Sequence, residues 1–124
     1  MTDYGDKTSV MAAKSECRKR LRNAPLKVSE LMKAGRLFDA GDRFHEWLRQ
    51  QGRLTALDEI YECEFVTCSR ETQVEKFMQT LRTAHTNAID PSGEFYRGYV
   101  VVASDYLRWL KAPGLDEIMS KDRA

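Results

Sequence analysis

The sequence predicts an all-α protein, an irregular bundle of five to seven helices around a central, aromatic-rich C-terminal helix. Three observations carry that prediction. Only three Pro and seven Gly interrupt 124 residues, and the abundant Leu, Ala, Lys, Arg and Glu give up little side-chain freedom in a helix. Apolar residues return at spacings of three and four along most of the chain. The longest apolar run lies in residues 93–113, which hold three of the five Tyr and one of the two Trp.

In that C-terminal helix, Phe95, Tyr99, Val102, Tyr106 and Trp109 with Leu110 share one face, a wide aromatic stripe suited to a core. Arg97, Ser104, Asp105 and Arg108 fall opposite, toward water or a partner. Residues 95–102 also have strong β propensity and follow an Asp-Pro-Ser-Gly turn. A strand there would find no second strand to pair with, so helix is expected.

The earlier elements follow in order. Residues 1–6 read as a flexible tail, 7–119 as one helical domain and 120–124 as a frayed tail. A first helix is expected from Lys7 to Arg22, burying Val10, Ala13, Cys17 and Leu21, with Pro25 ending it because a residue before proline is pushed out of the α region. A second segment begins near Val28 and breaks at Gly35. Residues 36–51 form a strong helix, burying Leu37, Ala40, Phe44, Trp47 and Leu48, and Gly52 reads as its stop. Thr55 to Asp58 has capping-box spacing and opens a helix over 56–65. After a break at Thr67-Cys68-Ser69, Ser69 caps a helix over 70–86 that buries Val74, Phe77, Met78, Leu81 and Ala84 or His85. A turn-rich link over 87–93 leads into the C-terminal helix, Pro113-Gly114 ends it, and Leu115, Ile118 and Met119 suggest one more short helix.

With 42% apolar and 31% charged residues, the composition is that of an ordinary globular domain. A chain of this length buries roughly 65–70% of its unfolded surface and can hold a core without staples. Three Cys, an odd number, argue against a disulfide framework and for a reducing, cytoplasmic setting. No apolar run approaches a bilayer span, so a soluble protein with no membrane partner is expected. The net charge of +1 hides an asymmetry. Residues 1–36 carry nine Lys/Arg against four Asp/Glu, and residues 37–66 three against seven.

Two surfaces are candidates for function. Lys14, Arg18, Lys19, Arg20 and Arg22 form a basic cluster on the first helix, able to reach successive phosphates of RNA or DNA or to face the acidic middle of the chain. On the C-terminal helix, Tyr96, Val100, Leu107 and Arg108 lie off the core stripe, in residue types that dominate protein interfaces. Val101, Met32 and Phe38 are also off-stripe. Metal and catalytic patterns are thin. Cys63 and Cys68 with His85 lack a fourth ligand, and Asp42-x-x-His45 lacks a second copy. Asp58 and Glu62 share a helix face as solvated acids more readily than as an acid/base pair. No cofactor, metal or catalytic residue is assigned. The expected function is a small non-enzymatic interaction module, an adaptor, inhibitor or assembly subunit, binding a protein partner or a second copy. The alternative is a nucleic-acid-binding regulator that uses the basic helix.

Overall fold

The computed structural model describes residues 2–86 and 93–120, without the side chains of 24–26, 84–86, 119 and 120. Among these residues there are five α-helices and no strand: α1 (Lys7–Lys33), α2 (Leu37–Tyr61), α3 (Arg70–Thr86), α4 (Gly93–Trp109) and α5 (Leu115–Ser120). The chain is an all-α bundle. The segment with β propensity is helical throughout.

Asp6 starts α1 by accepting the Thr8 amide at 3.1 Å, satisfying one of the helix's unpaired donors. The expected break at Pro25 does not occur, and α1 continues to Lys33. A proline inside a helix removes one backbone bond, at about 3 kcal/mol. Here α1 lies along α2 on both sides of that point, with Cys17 and Leu31 buried before and after it, so tertiary packing outweighs the local preference. The break at Gly35 is real. Gly35 has φ +74, a conformation glycine adopts without strain, and the Leu31 carbonyl receives the Arg36 amide at 2.8 Å. The chain reverses there, and α1 and α2 form a long antiparallel hairpin tied by Lys14 to Asp58 at 2.9 Å.

Neither Gly52 nor Thr55 interrupts α2, contrary to the sequence reading. Gly52 is buried in mid-helix, and Thr55 returns its hydroxyl to the Gln51 carbonyl at 2.9 Å instead of capping. The reason for Gly52 is α4. A Cβ on Gly52 would run into the Phe95 carbonyl and come within 2.8 Å of the Tyr99 amide nitrogen. A Cβ on Gly98 would meet the Arg49 carbonyl group in the same way, 2.7 Å from its carbon. Each glycine lets the other helix's backbone lie against it, and the two backbones touch where side chains would otherwise hold them apart.

Beyond this contact the two helices run in the same direction. Arg49 lies near Glu94, Tyr99 donates to Glu59, and Tyr106 donates to Glu64. After Tyr61 the chain passes through a π-helical turn, Glu62–Val66, closed by the Thr67 amide on the Glu62 carbonyl at 2.9 Å. Cys68, at φ 52, then turns it toward α3. Phe77 of α3 meets Tyr99 and Tyr106 edge-on, with ring centroids 5.6 and 5.8 Å away.

The centre of the molecule is therefore α4, which packs against α2, α3 and α5. Tyr99, Val102, Ala103, Tyr106 and Leu107 are buried along it. Two placements differ from the expected faces. Ser104 is buried, its hydroxyl donating to the Val100 carbonyl at 2.6 Å, and Trp109 is partly exposed, stacked on Tyr106. Tyr4 is buried, donates to Asp105 at 2.6 Å and packs edge-on against Tyr106 and Trp109. Residues 87–92 of the turn-rich link expected over 87–93, and residues 121–124, lie outside the described residues, as do the side chains of Ala84, His85 and Met119.

Candidate functional site

The five residues of the basic cluster on α1 have different surroundings. Lys14 is 13% exposed, pairs with Asp58 and sits over the Tyr61 ring at 4.4 Å, so it belongs to the α1–α2 contact. Arg18 reaches the same Asp58 at 3.8 Å, and Arg20 pairs with Glu16 one turn earlier at 3.3 Å. Lys19 and Arg22 are exposed and have no ion pair among the described residues. Asp58 of α2 thus draws in two of the five, which is the complementarity that the charge asymmetry allowed.

The four α4 residues also separate. Tyr96 and Arg108 are exposed and Val100 is half-buried, but Leu107 is completely buried. Leu107 had looked off-stripe because the stripe was drawn for a helix with one covered side. With α2, α3 and α5 all packed on α4, more than one side is core.

Val100 and Arg108 open onto a groove that sequence spacing could not assemble. It lies between α1, α2 and α4 and has a volume of about 620 Å³. Leu57, Val101, Val102 and Cys17 make its apolar lining, and Arg20, Arg53 and Arg108 bring three guanidiniums to it. Arg20 is taken up by Glu16. The groove's other carboxylate, Asp105, accepts from Tyr4. Arg53 and Arg108 have no ion pair among the described residues, and the Arg53 Nε is buried without an acceptor. Burial pushes the Cys17 thiol up, against an opposing pull from Arg53 and Arg20. Arg53 and Gln50 were missed because each reads as one more polar residue on α2. Only the close approach of α4 at Gly52 turns that side of the helix into a wall.

A second groove of about 560 Å³ adjoins the first, sharing Arg20 and Gln50 and running between the far halves of α1 and α2 past Lys27, Arg43 and Trp47. Gln50 is buried and donates to Glu46 at 2.7 Å. That bond is the first cause holding the Glu46 carboxyl below its ordinary range, with burial opposing it and Arg49 and Arg53 assisting.

The far end of the hairpin exposes large apolar side chains among charged ones such as the Arg36–Asp39 pair. Phe38 is 93% exposed, Leu37 65% and Met32 56%. From Leu37 to Arg49 only Ala40 is buried. Phe44, also exposed, stacks on Trp47 with centroids 5.9 Å apart. Leu37 and Phe44 were expected to face inward. Their period is helical and correct, but the α2–α4 contacts described above begin at Arg49, so the stripe runs on past the body of the bundle with nothing among the described residues to cover it.

The remaining candidates resolve into structure. Cys63 is buried, 3.3 Å from the Ile60 carbonyl and 3.6 Å from the Tyr106 hydroxyl, whereas Cys68 is exposed. Asp42 and His45 are both exposed. No group of three or more metal-ligating side chains occurs among the described residues, and no helix among them is long and apolar enough to cross a membrane. Asp58 serves Lys14 and Arg18. Glu64, most of its side chain buried, accepts two bonds from Arg70, both 2.8 Å, and one from Tyr106. Burial works to raise the Glu64 pKa, but Arg70 and Tyr106 outweigh it and the net shift is downward. The phenols of Tyr4, Tyr99 and Tyr106 are all pushed well up, by burial first and by their carboxylate acceptors second. With these geometries in place, comparison with known proteins adds nothing to them: no family model, curated protein or solved structure matches the chain.

Proposed function

We propose that this protein is a binding module whose working surface is the far end of the α1–α2 hairpin, where it holds a protein partner or a second copy of itself. The observation that supports this reading is Phe38, almost fully exposed at a helix start next to an exposed Leu37, with Met32 exposed near the end of the preceding helix. Covering a side chain of that size yields about 1.5–3 kcal/mol. Contiguous exposed apolar residues on an otherwise well-packed bundle mark interaction sites. The hairpin carries this surface away from the core, so binding there needs no rearrangement of α4.

The test is a Phe38→Asp variant. Its helical circular dichroism should match that of the parent, because Phe38 supports no packing within the chain. Affinity capture by the parent chain should retain a partner that the variant loses, or light scattering should show a parent dimer and a variant monomer. A parent chain that is monomeric and captures the same proteins as Phe38→Asp removes the proposal. The nucleic-acid alternative keeps one supporting observation, Lys19 and Arg22, which are exposed and have no ion pair among the described residues. Nucleic acid that co-purifies and is stripped by salt favours that reading instead.

A further inference from the structure

The geometry points to a ligand site in the groove between α1, α2 and α4, suited to a small amphiphile with an oxyanion head. Arg53 and Arg108 hold the head, and Leu57, Val101 and Val102 receive the apolar body. This site is separate from the hairpin end and does not depend on what that end binds.

Three features argue for it. The first is volume: about 620 Å³ is the size of the clefts, roughly 300–1,000 Å³, in which small ligands are held. The second is charge. Both carboxylates in the groove already have partners, Glu16 in Arg20 and Asp105 in the Tyr4 hydroxyl. Arg53 and Arg108 have no ion pair among the described residues. The third is an unmet hydrogen bond. The Arg53 Nε is buried and lacks an acceptor, which costs free energy until an oxygen is supplied. A carboxylate or phosphate supplies it once a shift of the Arg53 side chain turns the Nε toward the groove, and the planar guanidinium fork matches either head.

The occupant is small because Thr2 and Tyr4 stand at the groove. Tyr4 is fixed there by Asp105 and by its packing on Tyr106 and Trp109. A continuous helix of a partner protein meets this strap, whereas a single head with a short tail fits beside it.

Calorimetry with decanoate, decyl phosphate, decanol and inorganic phosphate, each below its aggregation concentration, tests the site. Decanoate and decyl phosphate should both bind. Decanol, without the charge, and inorganic phosphate, without the tail, should each bind at least roughly tenfold more weakly. Arg53→Met and Arg108→Met should each lose roughly tenfold in affinity for the two anions and leave decanol unchanged. Arg53→Lys keeps the charge and the fold but not the fork, and should still fall several-fold. Phe38→Asp should bind decanoate as the parent does, which separates this inference from the proposed function. Decanol binding as tightly as decanoate, full affinity in the Arg53→Met/Arg108→Met double variant, or no binding of either anion by the parent overturns the site.

Discussion

Gly52 and Gly98 show how much a single hydrogen in place of a methyl can decide. Each lies against the other helix's backbone, with no room for a Cβ. Gly52→Ala and Gly98→Ala should therefore each destabilise the protein by about 3 kcal/mol, the upper range for overpacking, because backbone rather than a flexible side chain must move. Gly41, also within α2, has nothing within 4 Å of its would-be Cβ. Gly41→Ala should stabilise by about 0.5–1 kcal/mol through helix propensity alone. Urea denaturation of the three variants checks both signs, and a Gly52→Ala protein as stable as the parent contradicts the crossing. In sequence these glycines look alike. Gly35 was legible as a break because a cap needs only its neighbours. Gly52 was not, because what demands it is some 45 residues away along the chain.

At the level of elements, local rules located most ends and misjudged two interiors. Ser69 and Glu71 sit where a helix start favours them, and α3 begins at Arg70. Asp6 supplies a cap that the basic residues after it overshadowed in the sequence. Pro25 and the capping-box spacing at Thr55 were given too much weight, because both signals describe an isolated helix. A helix lying on a 25-residue partner has tertiary contacts on either side to carry it across a weak point. Pro25→Ala should restore a backbone donor within α1 and raise stability by roughly 1–3 kcal/mol. The change is read as a higher denaturant midpoint with unchanged helical circular dichroism. A drop in stability would mean that the hairpin depends on the bend a proline imposes. The site residues divide for the same reason. Tyr96, Arg108, Lys19 and Arg22 could be identified as surface from their own helix. The burial of Leu107 depends on three neighbouring helices, and the groove at Arg53 depends on two.

For the whole molecule, three buried phenols make alkaline pH the informative axis. Tyr4, Tyr99 and Tyr106 each donate to a carboxylate and have pKa values shifted upward. Below about pH 10 the folded and unfolded chains both keep these protons, and the stabilisation is complete. Above it the unfolded chain releases them while the native state does not. Stability then falls with rising pH, by about 1.4 kcal/mol per unit for each tyrosine, until the folded values are reached. Urea midpoints should hold to about pH 8, soften toward pH 9 as the unfolded chain releases the Cys17 and Cys63 protons that burial retains in the fold, and drop sharply by about pH 11. Tyr99→Phe should be less steep over the same interval, and an equal slope would exclude Tyr99 from the effect.

The crossing of α2 and α4 also has a bearing on time. The α1–α2 hairpin closes over the three residues between Lys33 and Leu37, so its contacts are cheap in loop entropy and can form as soon as the chain reaches Tyr61. The seat at Gly52 is then complete but vacant until α4 arrives. If that docking follows the rate-limiting step, the alanine variants at Gly52 and Gly98 should refold at nearly the parent's speed and unfold much faster. The two glycines would then act as a latch, governing how long the native state lasts once made.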